Sequence, residues 1–263
     1  MKTLGDILIR KTPFEEILMG NEAVVRAMVE SATKVVSSYP GSPTPEIAAA
    51  ILSIPKAEQP FYFEFSVNEK VATEVAFGAA LNGNLSCVFF KSVGVNVALD
   101  TFVQLPLMNL IGGMVVVIGD DPGANSSQNE QDNRHVYAMA RMIVLEPASP
   151  AEAYDYYLQA AALARKLQTV VVVRMTTHVC HARQKIQFRE RPASSAARTD
   201  FSRTNGPYIP LTTMALDMKR QSMQKLDQAE ALIRAAGLNT CIDSDNARGK
   251  GVIVSGLTWL SLL

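Results

Sequence analysis

Residues 112–118, GGMVVVI, form an apolar run that is short and unbroken. A strand of a parallel sheet needs such a run, because helices cover both of its faces. Shorter apolar or apolar-aromatic runs recur at 33–39, 61–65, 86–90, 142–145 and 170–174. Between them the spacing is helical: 20–31, a helix opening at Pro45, a small-residue helix from Glu69, an apolar helix ending near Leu107, and 151–167. Strands alternating with helices predict an α/β fold, a doubly wound and mostly parallel sheet with helices on both faces. Right-handed crossovers would gather the polar loops along one edge of that sheet.

The flanks carry less pattern. Residues 1–19 read as a partly helical N-terminal extension, and 20–185 as the α/β domain. Residues 186–250 read as a linker plus one helix that ends at Gly237, within a basic, polar surface connection that begins near His178. Residues 251–263 read as a strand, 252–255, and the first turn of a helix. A strand needs a neighbour and a helix of one turn is not stable alone, so the expectation is a second α/β domain that is cut short.

Composition narrows the function. The 263 residues are 48% hydrophobic and 19% charged, which predicts a large core, subunit contacts or both. The formal net charge is zero. That gives no support to nucleic-acid binding or electrostatic membrane binding, and it favours an oligomer. No run reaches the length of a membrane span, and charges interrupt the N-terminal apolar runs. Cys87, Cys180 and Cys241 lie far apart with no C-x-x-C pair, which fits a reducing cytoplasm and argues against a disulfide framework.

Four stretches can carry chemistry. In 62–83 an aromatic strand runs into a helix with Glu69 in its first turn and Ala72, Val75, Ala76 and Ala79 on one face. Glu69 reads first as a carboxylate complementing the helix dipole, worth ~0.3–1 kcal/mol, and second as one that protonates or binds a ring nitrogen of a cofactor. In YPGSPTPEI, 39–47, Ser42 and the backbone N–H groups at the helix start could hold an anion, or the loop is only a rigid turn with a cap. KSVGVN, 91–96, follows another strand. GDDPGANSSQNEQDNR, 119–134, is denser in amides and hydroxyls than a cap requires, and its Arg134 could fork a carboxylate. A metal at Asp120 and Asp121 is disfavoured by the adjacent Pro122–Gly123 turn. The H-x-C-H spacing of His178, Cys180 and His181 offers no fourth ligand. No G-x-G-x-x-G and no Walker motif is present.

These four blocks, in this order within residues 18–185, resemble the large subunit of indolepyruvate:ferredoxin oxidoreductase. That family belongs to the thiamine-diphosphate-dependent 2-oxoacid:acceptor oxidoreductases. The resemblance implies that 20–185 is the pyrimidine-binding module. In such enzymes a glutamate contacts N1′ of the aminopyrimidine and drives the tautomer that deprotonates thiazolium C2. The carbon so formed attacks the 2-oxoacid carbonyl, and carbon dioxide leaves. By the resemblance Glu69 matches that glutamate, Ser42 a hydroxyl near the substrate, Arg134 the substrate-carboxylate arginine, and Lys91, Ser92 and Asn96 a loop lining the site.

The departures set limits. The family holds the cofactor's diphosphate through Mg²⁺ on a module with a GDG…N signature, and no GDG occurs here. The cysteine-rich ferredoxin-like domain with its iron–sulfur clusters is also missing from this sequence. The resemblance therefore implies a partial subunit that needs a diphosphate-binding module and a smaller partner subunit, with CoA and ferredoxin as co-reactants of the complete enzyme. A fragment that only associates with other subunits, or an α/β nucleotide-binding module of another kind, are the competing readings.

Overall fold

The computed structural model describes residues 3–124, 127, 129–193, 195–201, 203–206, 208–242 and 251–262. In chain order its elements are α1 (Leu4–Leu8), β1 (Phe14–Met19), α2 (Gly20–Glu30), β2 (Val35–Ser38), α3 (Pro45–Leu52), β3 (Tyr62–Phe65), α4 (Glu69–Leu81), β4 (Ser86–Lys91) and α5 (Gly94–Phe102). They continue with β5 (Met114–Asp120), α6 (Arg134–Ala140), β6 (Ile143–Leu145), α7 (Pro150–Leu167), β7 (Val170–Thr176), α8 (Thr177–His181), β8 (Arg183–Phe188), α9 (Thr212–Ala235) and α10 (Leu257–Leu260).

Six strands form one sheet in the order β3-β2-β4-β5-β7-β6, and every pairing is parallel. All seven residues of β5 and all seven of β7 are buried, as their unbroken apolar sequences require. Alternate side chains feed two cores. Val115, Val117, Val171 and Val173 join α2, α3 and α7 on one face. Met114, Val116, Ile118 and Val172 join α4, α5 and α6 on the other. The chain leaves β2 towards β3 and then returns to β4 on the opposite side. The switch point, where open α/β sheets bind ligands, is therefore the crevice beyond the C-terminal ends of β2 and β4.

Five sequence expectations differ from the structure. The N-terminal segment is partly helical, as α1, but it is not an extension outside the fold: β1 pairs antiparallel with β8, and Leu8, Phe14 and Leu18 are core residues. The fully buried Arg26 ties this end down. Its Nε donates to Glu30 Oε1 at 2.6 Å, Nη1 to the carbonyls of Leu8 (2.9 Å) and Arg10 (2.6 Å), and Nη2 to that of Arg189 (2.7 Å). A buried guanidinium is tolerated only when its donors are met in this way. Next, the segment from His178 is not irregular. It forms α8 and β8, because Ile186 and Phe188 alternate with polar residues and pack inward, Phe188 against Phe14 (ring centroids 4.9 Å apart) and Tyr154 (5.0 Å). The α/β unit thus extends past 20–185 at both ends.

Third, residues 252–255 form no strand. Among the described residues they have no ladder partner, and Ile253 is 101% exposed, so nothing there can pair with them. The helix expected in 186–250 does form, as α9, but it belongs to the core. Met214 and Met218 reach one face of the sheet and Ala229, Leu232 and Ile233 the other, beside edge strand β6. The apolar helix expected to run to Leu107 stops at Phe102, and a 3-10 turn, Leu105–Leu107, replaces its end at Pro106. Among the described residues no helix is long and apolar enough to cross a membrane.

Candidate functional site

Glu69 is the first residue of α4, and Asn68 caps the helix by accepting from the Val71 N–H at 2.9 Å. The capping is therefore done by Asn68, and Glu69 is not required for it. Its side chain is 7% exposed. Among the described residues no hydrogen bond or ion pair engages its carboxylate. A buried carboxylate that no side chain or backbone donor engages is left able to accept a partner from outside the chain.

The wall against Glu69 is the backbone of α5. A Cβ added at Gly94 would stand 2.6 Å from Glu69 Cγ, 2.7 Å from Oε1 and 2.8 Å from the Phe90 ring. Only glycine allows this approach. Behind Glu69, Ala72, Ala76 and Ala80 are fully buried, and Ser37 of β2 donates to the Ala72 carbonyl at 2.6 Å. Val75 and Ala79 are half-buried, and Gly78 faces open space rather than a close neighbour.

Ser42 lies in the loop after β2, preceding a cis Ser42–Pro43 peptide bond. Gly41 lets this loop lie on the stem of Lys91, since a Cβ there would be 2.6 Å from Lys91 Cδ. Pro43 and Thr44 rest in turn on Gly119 at the end of β5. Among the described residues the Ser42 hydroxyl and the Lys91 ammonium also lack a hydrogen-bond partner. Ser42, Lys91, Ser92, Asn96 and Glu69 thus all sit on the loops and helix starts around the β2/β4 switch point.

Arg134 does not join them. Its guanidinium forks onto Asp132, with Nε to Oδ1 at 2.9 Å and Nη2 to Oδ2 at 2.8 Å. Arg134 beside it holds the Asp132 carboxyl far below the usual carboxylate range. Both side chains are exposed.

Several residues that the sequence did not single out are part of this region. Asn21, fully buried, donates to the Pro43 carbonyl and to Glu46 Oε2, each at 2.9 Å, and so holds the Ser42 loop from below. Asn133, also fully buried, donates to the Ser92 carbonyl (3.1 Å) and to Asp120 Oδ1 (2.8 Å). Burial pushes the Asp120 carboxyl up, against the buried Arg174 guanidinium that pairs with it. Arg174 also reaches Glu146 at 2.5 Å. A charged residue closing the valine run of β7 was the available signal. Asp120 is committed to Arg174 and Asn133, and Asp121 accepts from the Thr177 hydroxyl at 2.8 Å. Asn125, Ser126 and Gln128 of the same loop lie outside the described residues. A cavity of about 420 Å³ between β6 and α9 is lined by Ile143, Val144, Leu226 and Ile233. It contains none of the site residues and is a packing gap rather than the site.

Residues 26–238 match the family described as pyruvate flavodoxin/ferredoxin oxidoreductase, thiamine diP-binding. The chain is 39% identical over 253 residues to the indolepyruvate oxidoreductase subunit IorA of Methanothermobacter marburgensis. It is 34% identical over 260 residues to that of Archaeoglobus fulgidus. These alignments cover 96% and 97% of this chain, and the chain spans about 41% of the length of each relative. Among solved structures, a 2-oxoglutarate:ferredoxin oxidoreductase from Magnetococcus marinus superposes with a TM-score of 0.64 at 17% identity, over 84% of this chain and 46% of that one. That likeness agrees on the fold. On the match to most of its length, the chain belongs to the thiamine-diphosphate-binding family of pyruvate flavodoxin/ferredoxin oxidoreductases.

Proposed function

We propose that this chain is the pyrimidine-binding portion of a 2-oxoacid:ferredoxin oxidoreductase that decarboxylates arylpyruvates of the indolepyruvate kind to the acyl-CoA. The observation that carries the reading is Glu69: buried, with its carboxylate unengaged among the described residues, and pressed against the side-chain-free start of α5. This environment fits the aminopyrimidine end of thiamine diphosphate, which offers a ring nitrogen to a carboxylate and a flat face to a glycine backbone. When bound, the cofactor supplies the carbon nucleophile and electron sink for decarboxylation.

The chain's own residues do the rest. Glu69 holds a proton between its carboxyl oxygen and N1′. The dry wall formed by Gly94 and Phe90 keeps water from competing for that proton. Ser42 and Lys91 offer a hydroxyl and a cation to the carboxylate and carbonyl of the 2-oxoacid. Arg134 contributes only after exchanging Asp132 for the substrate carboxylate. The diphosphate, Mg²⁺, CoA, the iron–sulfur clusters and the docking of ferredoxin fall to modules with the GDG…N signature and cysteine-rich motifs that this sequence lacks. The working assembly is an oligomer in the cytoplasm.

The test combines this chain with a subunit carrying GDG…N and follows 2-oxoacid-dependent dye reduction. Glu69→Ala is expected to lower kcat by about 100-fold or more, the usual scale for a positioned proton-transfer group. An active complex indifferent to this change would remove Glu69 from the chemistry. The share of its relatives' length that the chain spans, 41%, keeps a second reading in view: association with other subunits without catalysis. A complex that assembles but never reduces dye would favour it.

A further inference from the structure

The start of α5 is not anchored by its own sequence. Its N-cap residue is Val93, which offers no capping oxygen, and no side chain caps the helix. The first turn is fastened from outside. Asn133, buried in the loop after β5, donates to the Ser92 carbonyl at 3.1 Å and accepts from Gln131 Nε2 at 2.6 Å. Gln131 forms a reciprocal amide pair with Asn96, at 2.8 and 2.9 Å. Asn133 is itself backed by Asp120 and, through it, by Arg174. The Ser92 N–H already donates to the Gly119 carbonyl at 3.0 Å, so the two side-chain tethers add to that backbone hold at residues 92 and 96, and between them lies Gly94, which packs on Glu69.

We propose that Asn133 and Gln131 are positioning residues. They fix the distance between the start of α5 and Glu69, and so set how the carboxylate meets the cofactor ring. The inference rests on the thiamine reading of Glu69. An Asn buried with all its bonds made could serve stability alone. The argument against that lies in where the bonds go: both tethers end on the turn whose backbone walls the carboxylate. A slip of about 1 Å in such a wall can cost up to ~100-fold in a reaction that depends on alignment.

The test uses the assembled enzyme with Asn133→Ala, Gln131→Ala and Glu69→Ala. Amide hydrogen exchange at Val95 and Asn96 in the cofactor-free protein reads the tethers directly. We expect about tenfold faster exchange in Asn133→Ala and a smaller rise in Gln131→Ala, because these amides report local opening. Calorimetry should then show the thiamine diphosphate Kd rising by about tenfold, while the KM for the 2-oxoacid moves by less than about twofold. Unchanged exchange would overturn the tethers. Faster exchange with an unchanged Kd would overturn the positioning role and leave Asn133 a structural residue. If Asn133→Ala does not fold, the partly exposed Gln131 carries the same decision. Glu69→Ala separates the two layers. If it weakens the cofactor and Asn133→Ala does not, only the positioning role falls. If Glu69→Ala changes neither Kd nor activity, the thiamine reading falls and the positioning role with it.

Discussion

At the scale of single residues, the site depends on what Gly94 lacks. Glu69 alone is an ordinary helix-start carboxylate, and its sequence neighbours allow the dipole reading as readily as any other. What singles it out is the backbone of a later helix packed against its side chain, with no hydrogen-bond or ion-pair partner among the described residues. Gly94→Ala is therefore a sharp probe. Its methyl would meet Glu69 at 2.6–2.7 Å and Phe90 at 2.8 Å, so the carboxylate or the helix must move. We expect a loss of at least about tenfold in thiamine diphosphate affinity. Far-ultraviolet circular dichroism should stay unchanged, because alanine is the better helix former. Retention of full affinity would mean that the wall does not set the carboxylate. Glu69 and the Ser42 loop were legible in the sequence because their motifs are local. Asn21 and Asn133 were not, since their partners lie in segments far along the chain.

At the scale of elements, α9 shows how a helix that reads as part of a linker becomes structural. Its apolar residues reach both faces of the sheet beside edge strand β6, which is one way a protein protects an open edge. Lys225 fixes its height. The ammonium donates to the carbonyls of Met108 (3.2 Å) and Gln168 (2.9 Å) and to Asn109 Oδ1 (3.0 Å). Burial pushes its pKa down to about 8 from the ordinary 10.5. Between these values the unfolded chain holds a proton that the folded chain has released, so stability rises with pH across that window. Thermal unfolding should show Tm climbing as pH passes from about 8 towards 10 in the parent, relative to Lys225→Met. Parallel pH profiles for the two proteins would contradict this account of Lys225.

At the scale of the whole molecule, one sheet edge carries the β2 loop, the start of α4 and the start of α5 around a single switch point. On the proposed reading, this layout presents the Glu69 carboxylate, the Ser42 hydroxyl and the Lys91 cation to one ligand. Nothing in the sequence resembles the diphosphate–Mg²⁺ module. Charge-assisted contacts are worth ~1.5–3 kcal/mol each, so losing several of them predicts that this chain alone binds thiamine diphosphate at least about 100-fold more weakly than the assembly does. Calorimetry on the chain alone and with its partner module checks this, and equal Kd values would refute it.

The sequence by itself determined the layers and the hand of the fold. Unbroken apolar runs can only be strands covered on both faces, and the helices between them must cross over right-handed. It also drew Glu69 and Ser42 out as candidates, because each lies in a short polar stretch between a strand and a helix, while Lys91 came only through the family resemblance. Tertiary structure decided the rest. Pairing of β1 with β8 turned a presumed extension into core, through the carbonyls that a buried Arg26 gathers. The same packing left residues 252–255 without a strand partner among the described residues. It turned Arg134 onto Asp132 and brought Gly94 against Glu69. Such contacts join residues far apart in the chain, and local propensity carries no term for them.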